Sequence, residues 1–349
     1  MDTALFDYEL PVELIAQDPV EPRDAARLLV AGRDGGEAQH RHVRDLPSLL
    51  RAGDLLVLNR TRVIPARLFG RKDSGGDVEV LLIHVEPSRD DREHWRCLIR
   101  GKVRVGSIIT LADVRAEVTV CHDDGERELA FPRDVSVLAL ADRIGHIPLP
   151  PYIKRVDRPD DRERYQTVFA DSPGSVAAPT ASLHLTKPLL EQITALGVST
   201  AHVDLAIGPG TFKPVDTERV EDFRIHAEHC ACPESTVAAI AACRARGGRV
   251  VAVGTTVVRT LETAAAQIGG LAPYAGWTSL FMHPPRTPAV VDCLMTNFHL
   301  PRSSLLMLVS CFTGVERLHA IYRTAVAERY RFFSYGDAMF LDCPGQEVR

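Results

Sequence analysis

Between residues 62 and 143 apolar and polar positions alternate in short runs broken by turn residues. A period of two is the mark of strands that bury one face. The pattern predicts six strands, over 66–71, 78–84, 95–99, 107–111, 116–120 and 128–131. Asp73-Ser74-Gly75-Gly76-Asp77 and Asp123-Asp124-Gly125-Glu126 read as hairpin turns between them. Six short strands at this spacing suggest a small barrel. Outside this segment the pattern changes. A helix-like start at 12–17 and an apolar strand at 55–58 precede it. After it, strands predicted at 199–207, 250–253 and 279–282 alternate with helices predicted at 185–196, 234–245, 257–268, 304–312 and 318–330. That alternation is the signature of an α/β domain.

Ile147-Pro148-Leu149-Pro150-Pro151-Tyr152 closes the β-rich segment, and its prolines stiffen a return linker. The expected fold is therefore α/β: a main domain formed from both ends of the chain, residues 1–61 and 149–349, with a small β-barrel inserted at 62–148. Gly32-Arg33-Asp34-Gly35-Gly36 reads as one further hairpin, and no internal repeat is visible.

Composition narrows the class. The 349 residues suffice for about two domains with buried cores. No basic n-region leads into an apolar stretch at Met1–Asp7, and no apolar run reaches the ~18 residues of a membrane helix. A cytoplasmic protein without a membrane partner is expected. Eight cysteines contain no Cys-x-x-Cys pair. This argues against a structural zinc site or a radical iron–sulfur cluster, and no metal is expected. The formal charge of −5 does not advertise nucleic acid. An RNA partner would have to meet local basic groups: Arg60, Arg62, Arg67, Arg71 and Lys72; Arg100, Lys102 and Arg104; Lys154 and Arg155; Arg329 and Arg331.

Five runs carry candidate chemistry. Thr296-Asn297-Phe298-His299-Leu300-Pro301-Arg302-Ser303-Ser304 places polar and ionisable groups just before an apolar helix, with serines suited to cap it. Gly174 to Thr186 is small, polar and punctuated by Pro179. Val203 to Phe212 is an apolar strand ending in Gly208-Pro209-Gly210. Val250 to Thr256 reads as a buried strand, a glycine turn and a helix start. Tyr330-Arg331-Phe332-Phe333-Ser334-Tyr335-Gly336-Asp337-Ala338-Met339 is the fifth. Two widespread cofactor-binding signatures are absent: Gly208-Pro209-Gly210-Thr211-Phe212 lacks a full Gly-x-Gly-x-x-Gly fingerprint, and the radical cysteine signature is missing.

Together these runs resemble the S-adenosylmethionine:tRNA ribosyltransferase-isomerase family of queuosine biosynthesis. So do the opening Phe6-Asp7-Tyr8-Glu9-Leu10-Pro11 and Gly53 to Arg67. The resemblance runs along essentially the whole chain. There are departures: Ser182-Leu183-His184-Leu185 stands where the family usually has Gly-Leu-His-Phe, Ile225-His226-Ala227-Glu228 where it has Met-His-Ser-Glu, and Pro284-Pro285 where it has Pro-Gly.

The resemblance implies transfer of the ribosyl part of S-adenosylmethionine to 7-aminomethyl-7-deazaguanine at the wobble position of a tRNA with a GUN anticodon. Epoxyqueuosine-tRNA forms, and adenine and methionine leave. It implies no permanently bound cofactor, S-adenosylmethionine as co-substrate, and a monomer. Such chemistry needs acid–base and orienting groups rather than a protein nucleophile. His184, His299 and Glu228 are the catalytic candidates. The binding candidates are Thr180, Ser182, Gly208, Gly210, Thr211, Phe212, Thr255, Thr256, Asn297, Arg302, Arg331, Tyr335 and Asp337. Glycine-turn and helix-start N–H groups suit an anion, arginines suit phosphate or carboxylate, and Phe212 or Tyr335 suits a stacked base. Two alternatives stay open: a paralogue acting on another or a free deazapurine, and a non-catalytic RNA-binding protein on the same scaffold.

Overall fold

The computed structural model describes residues 1–32, 36–87, 89–212 and 214–342, with the side chains of Thr211 and Phe212 outside the description. In chain order the strands are β1 (Arg27–Ala31), β2 (Gln39–His42), β3 (Leu55–Asn59) and β4 (Thr61–Val63). Six follow in the inserted segment: β5 (Arg67–Lys72), β6 (Asp77–Glu86), β7 (Glu93–Arg100), β8 (Ile108–Leu111), β9 (Val114–Cys121) and β10 (Arg127–Phe131). Then come α1 (Val137–Ile144), α2 (Asp161–Arg164), β11 (Ser172–Ser175), α3 (Lys187–Ala195), β12 (Ser199–Leu205), β13 (Glu228–Cys232), α4 (Glu234–Ala245) and β14 (Val250–Val253). The chain ends with α5 (Thr255–Ala265), β15 (Tyr274–Thr278), β16 (Cys293–Asn297), α6 (Ser304–Thr313), α7 (Val315–Ala327) and β17 (Ala338–Asp342).

The six predicted strands of the insert form a closed barrel in the order β10-β7-β6-β5-β8-β9. Every neighbouring pair is antiparallel. Alternation is what made them legible: Leu68, Val80, Leu82, Cys97, Ile109 and Val118 point inward to one apolar core.

Both ends of the chain build a nine-stranded sheet, β15-β13-β12-β3-β14-β16-β17-β1-β2. Its central strands β12, β3, β14 and β16 run parallel. Of these, β3, β14 and β16 are buried on both faces, which explains continuous apolar runs such as Val250-Val251-Ala252-Val253. Val250 and Ala252 join the core under α5, α6 and α7, while Val251 and Val253 join the core under α3. α6 sits deep in the first core and begins where Ser303 Oγ accepts the Leu306 N–H at 3.1 Å. α7 follows at a sharp bend of 111°. Among the described residues no single helix is long and apolar enough to cross a membrane.

Several predicted elements moved. The strand predicted at 279–282 lies instead at Tyr274–Thr278. Thr278 Oγ1 accepts the Leu280 N–H at 3.2 Å and Arg259 takes the Leu280 carbonyl, so the chain leaves the ladder there. The helix-like start at 12–17 is a single 3-10 turn, Val12–Leu14. β1, β13, β16 and β17 were not predicted. β1 and β2 pair antiparallel as a hairpin at 32–36 requires, but residues 33–35 lie outside the described residues.

Candidate active site

Parallel sheets bind ligands in the crevice beyond the carboxyl ends of their strands, where loops diverge to opposite faces. That crevice is present here. β12, β14 and β16 run out into Ile207, Gly254 and Phe298, and all three residues line one cleft. The cleft holds about 690 Å³ counted out to its open mouth. Its wall also takes Thr180 from the small-residue run, Thr255 and Thr256 from the start of α5, and His299. Tyr152 and Phe333 complete it, their rings 4.3 Å apart and tilted by 31°.

Gly254 lets this wall form. It has φ +99°, a conformation costly for any side chain, and its N–H donates to the Met295 carbonyl at 2.8 Å. The turn it permits delivers the first N–H groups of α5 to the cleft. From the opposite side Asn59, fully buried at the end of β3, donates to Thr256 Oγ1 at 3.2 Å and fixes that hydroxyl.

His299 is buried by its neighbours and pinned through its main chain. Its N–H donates to the Tyr322 hydroxyl at 2.9 Å, and its carbonyl accepts from Tyr8. The ring Nε2 lies 3.0 Å from Thr296 Oγ1. Burial pushes the imidazole pKa down to about 3, so the ring is neutral at physiological pH. His184 lies outside this cleft. It lines a second, small pocket with Arg23, Arg164, Ser334 and Tyr335. Burial, with the guanidinium charges of Arg331 and Arg23 adding to it, lowers its pKa to about 4. Asn297 separates the two pockets. Thr180 Oγ1 donates to Asn297 Oδ1 at 2.9 Å, and Asn297 Nδ2 lies 3.2 Å from His184 Nε2.

Glu228 occupies a third place. With Gly208, Gly210, His226 and Trp277 it lines a cleft between the barrel and the sheet. Its Oε1 accepts the Gly208 N–H at 2.8 Å, and its Oε2 pairs with the Arg259 guanidinium. Thr180, Thr255, Thr256, Asn297 and His299 are thus brought together, while His184 and Glu228 each face a different space.

The remaining sequence candidates are placed as follows. Asp337 braces the backbone: its carboxylate oxygens accept the N–H groups of Arg27 at 2.9 Å and Arg331 at 2.8 Å. Tyr335 donates to Asp161 Oδ1 at 3.1 Å. Arg331 donates to the Asp18 carbonyl, and Arg302 bonds through its main chain to Phe6 and Val215. Ser182 is fully buried with no hydrogen-bond partner for its hydroxyl among the described residues. The side chains of Thr211 and Phe212 lie outside the described residues. Of the basic candidates, Arg60, Arg67, Arg71 and Arg155 pair with Asp204, Glu79, Asp77 and Asp161. Reading the sequence did not single out Tyr152, Phe333, Arg259 or Trp277 as site residues. Only adjacency in space marks them.

The chain matches the family described as queuosine biosynthesis protein over residues 3–341. It belongs to that family. Queuosine biosynthesis relatives named S-adenosylmethionine:tRNA ribosyltransferase-isomerase make the membership specific. The one from Anaeromyxobacter sp. (strain Fw109-5) is 53% identical over 341 residues, covering 96% of this chain and 97% of the relative. The one from Geobacter sulfurreducens is 51% identical over 339 residues, covering 96% and 98%. The crystal structure of S-adenosylmethionine tRNA ribosyltransferase from Thermotoga maritima is 40% identical, covers 96% of this chain and 99% of its own, and superposes with a TM-score of 0.56. The protein is therefore an enzyme of queuosine biosynthesis, and its clefts are to be read as places for enzyme chemistry.

Proposed function

We propose that this enzyme moves the ribosyl part of S-adenosylmethionine onto 7-aminomethyl-7-deazaguanine at the wobble position of a GUN-anticodon tRNA, isomerising it to the epoxycyclopentane of epoxyqueuosine and releasing adenine and methionine. The observation that carries this reading is the cleft beyond β12, β14 and β16, where polar runs distant in sequence meet around one space. The N-terminus of α5, with Thr255 and Thr256, offers N–H groups and a positive dipole end to a carboxylate such as that of the methionine moiety. Tyr152 and Phe333 offer an aromatic surface to adenine.

The sulfonium of S-adenosylmethionine acidifies the neighbouring C5′ hydrogens, so the first task is to remove one of them. His299, the imidazole that lines this cleft, is the acid–base candidate for it. Burial keeps its ring neutral in the free enzyme, with an unshared pair on one ring nitrogen and an N–H on the other. His184, also neutral, is a positioning residue that orients Asn297 and through it Thr180.

Adenine release from S-adenosylmethionine, with and without tRNA carrying 7-aminomethyl-7-deazaguanine, tests the proposal. The expected result is release that requires that tRNA, with a matching mass gain on its wobble base. Release with tRNA carrying plain guanine, or with the free base alone, would overturn it.

A further inference from the structure

The second large cleft, between the barrel and the sheet, holds about 930 Å³ counted out to its mouth. Its two walls come from different parts of the fold. β6, β7 and the β9–β10 turn supply Glu86, Arg96, Asp124 and Glu126, while the sheet supplies Glu228 and Trp277. Trp277 is 51% exposed, unusual for so large an apolar side chain. Its ring is held edge-on between His84 of the barrel, 5.0 Å away, and His229 of the sheet, 5.8 Å away. A rigid aromatic surface is thus fixed at the seam.

Charge gives the cleft a sign. Four carboxylates line it against one guanidinium, that of Arg96, which is already engaged by Glu126 at 2.5 Å and Asp124 at 2.8 Å. Arg259 adds a second guanidinium from behind, where it pairs with Glu228 in a site 3% exposed. Two negative charges remain in excess, and the field in such a cleft favours a cation. Glu228 cannot turn away from it, because the Gly208 N–H and Arg259 hold its two oxygens.

The two clefts adjoin. Ile207 lines the first and Gly208, the next residue, lines the second. The peptide unit that joins them belongs to both walls. We infer that the barrel–sheet cleft receives the target base, with Trp277 stacking on its ring and Glu228, oriented by Arg259, taking its positively charged amine substituent. This rests on the reading that the acceptor is a base bearing an aminomethyl group. It makes Trp277 and Glu228 specificity residues and Arg259 a positioning residue.

Tryptophan fluorescence tests this apart from turnover. The chain has two tryptophans, and Trp95 is buried in the barrel at 4% exposure, so Trp277 dominates any response to ligand. Saturating tRNA that carries 7-aminomethyl-7-deazaguanine is expected to quench wild-type emission, and the same tRNA with plain guanine to quench it less. Trp277→Phe should lose the fluorescence response, and Trp277→Ala should raise KM for tRNA about tenfold, the usual worth of one stacked base, and leave the Kd for S-adenosylmethionine unchanged. Glu228→Gln should erase the preference for the amine-bearing tRNA. Unchanged wild-type fluorescence at tRNA concentrations that saturate adenine release, or a wild-type KM in Trp277→Ala, would overturn the inference while leaving the proposed reaction standing. Absence of adenine release by the wild type would instead sink the reaction.

Discussion

Asn297 Nδ2 and His184 Nε2 lie 3.2 Å apart, and through this pair a cleft-lining amide is held by a histidine that faces a different pocket. The Thr180 hydroxyl, donating to Asn297 Oδ1, fixes which way round the amide lies, so its NH2 group points at the histidine. The chain segments involved are far apart in sequence, and no single motif spans them.

Asn297→Ala breaks both bonds and leaves His184 Nε2 buried without a donor. The cost of an unmet buried polar group is about 1–3 kcal/mol. Urea unfolding should show a loss of about 2 kcal/mol, and adenine release should slow by more than the change in folded fraction explains. Equal losses in both would reduce Asn297 to a structural role.

His299→Ala should keep the fold, because the main chain of residue 299 stays tied to Tyr322 and Tyr8. Turnover should fall by about a hundredfold or more, the usual range for a lost acid–base group. A folded variant with the wild-type rate removes His299 from the mechanism.

Acid should unfold the protein through its buried histidines. His184 and His299 titrate near 4 and 3 when folded, below the ordinary 6.5. The unfolded chain therefore takes up protons first as pH drops below 6.5, and stability falls from there until the folded values are reached. Each histidine contributes a loss of about 2 kcal/mol by pH 5 relative to pH 8. Urea midpoints across that range check it, and His184→Gln should flatten the slope.

Gly254→Ala introduces a side chain at φ +99°. The backbone must bear strain of about 1–3 kcal/mol or change the turn that starts α5. Thermal unfolding and S-adenosylmethionine titration should show weakened stability and weakened binding together.

Arg249→Ala tests a buried pair remote from the clefts. Arg249 and Asp54 meet at 2.7 Å at 7% and 1% exposure. Removing one partner strands the other charge, at a cost of about 3–5 kcal/mol. Chemical denaturation should show that loss, and the rate per folded molecule should stay at the wild-type value.

The barrel was legible because most of its strands alternate and two of its hairpins carry glycine turns, at Gly75-Gly76 and Gly125. β14 and α4 were legible from apolar runs of the right length. β13 was not, since Glu228-His229-Cys230-Ala231-Cys232 has no β-rich composition and owes its place to pairing with β12 and β15. Tyr274 to Thr278 was missed for a related reason: Gly276 and a half-exposed Trp277 break any apolar stripe. The motif runs pointed to the main cleft because glycine, proline and polar residues cluster where strands end. They could not separate His184 from His299, because a one-dimensional pattern does not say which side of Asn297 a ring lies on. Trp277 and Arg259 carry no local signal at all.

One helix joins the two spaces. α5 opens at the first cleft with Thr255, and Arg259, one turn further on, fixes the carboxylate of the second. The interval is set by the rise of the helix, roughly 6 Å over four residues. The helix is thus a ruler. Substitutions in either wall leave the spacing of the two clefts along α5 as it is, and one inserted or deleted residue within that turn would swing Arg259 about 100° away from Glu228.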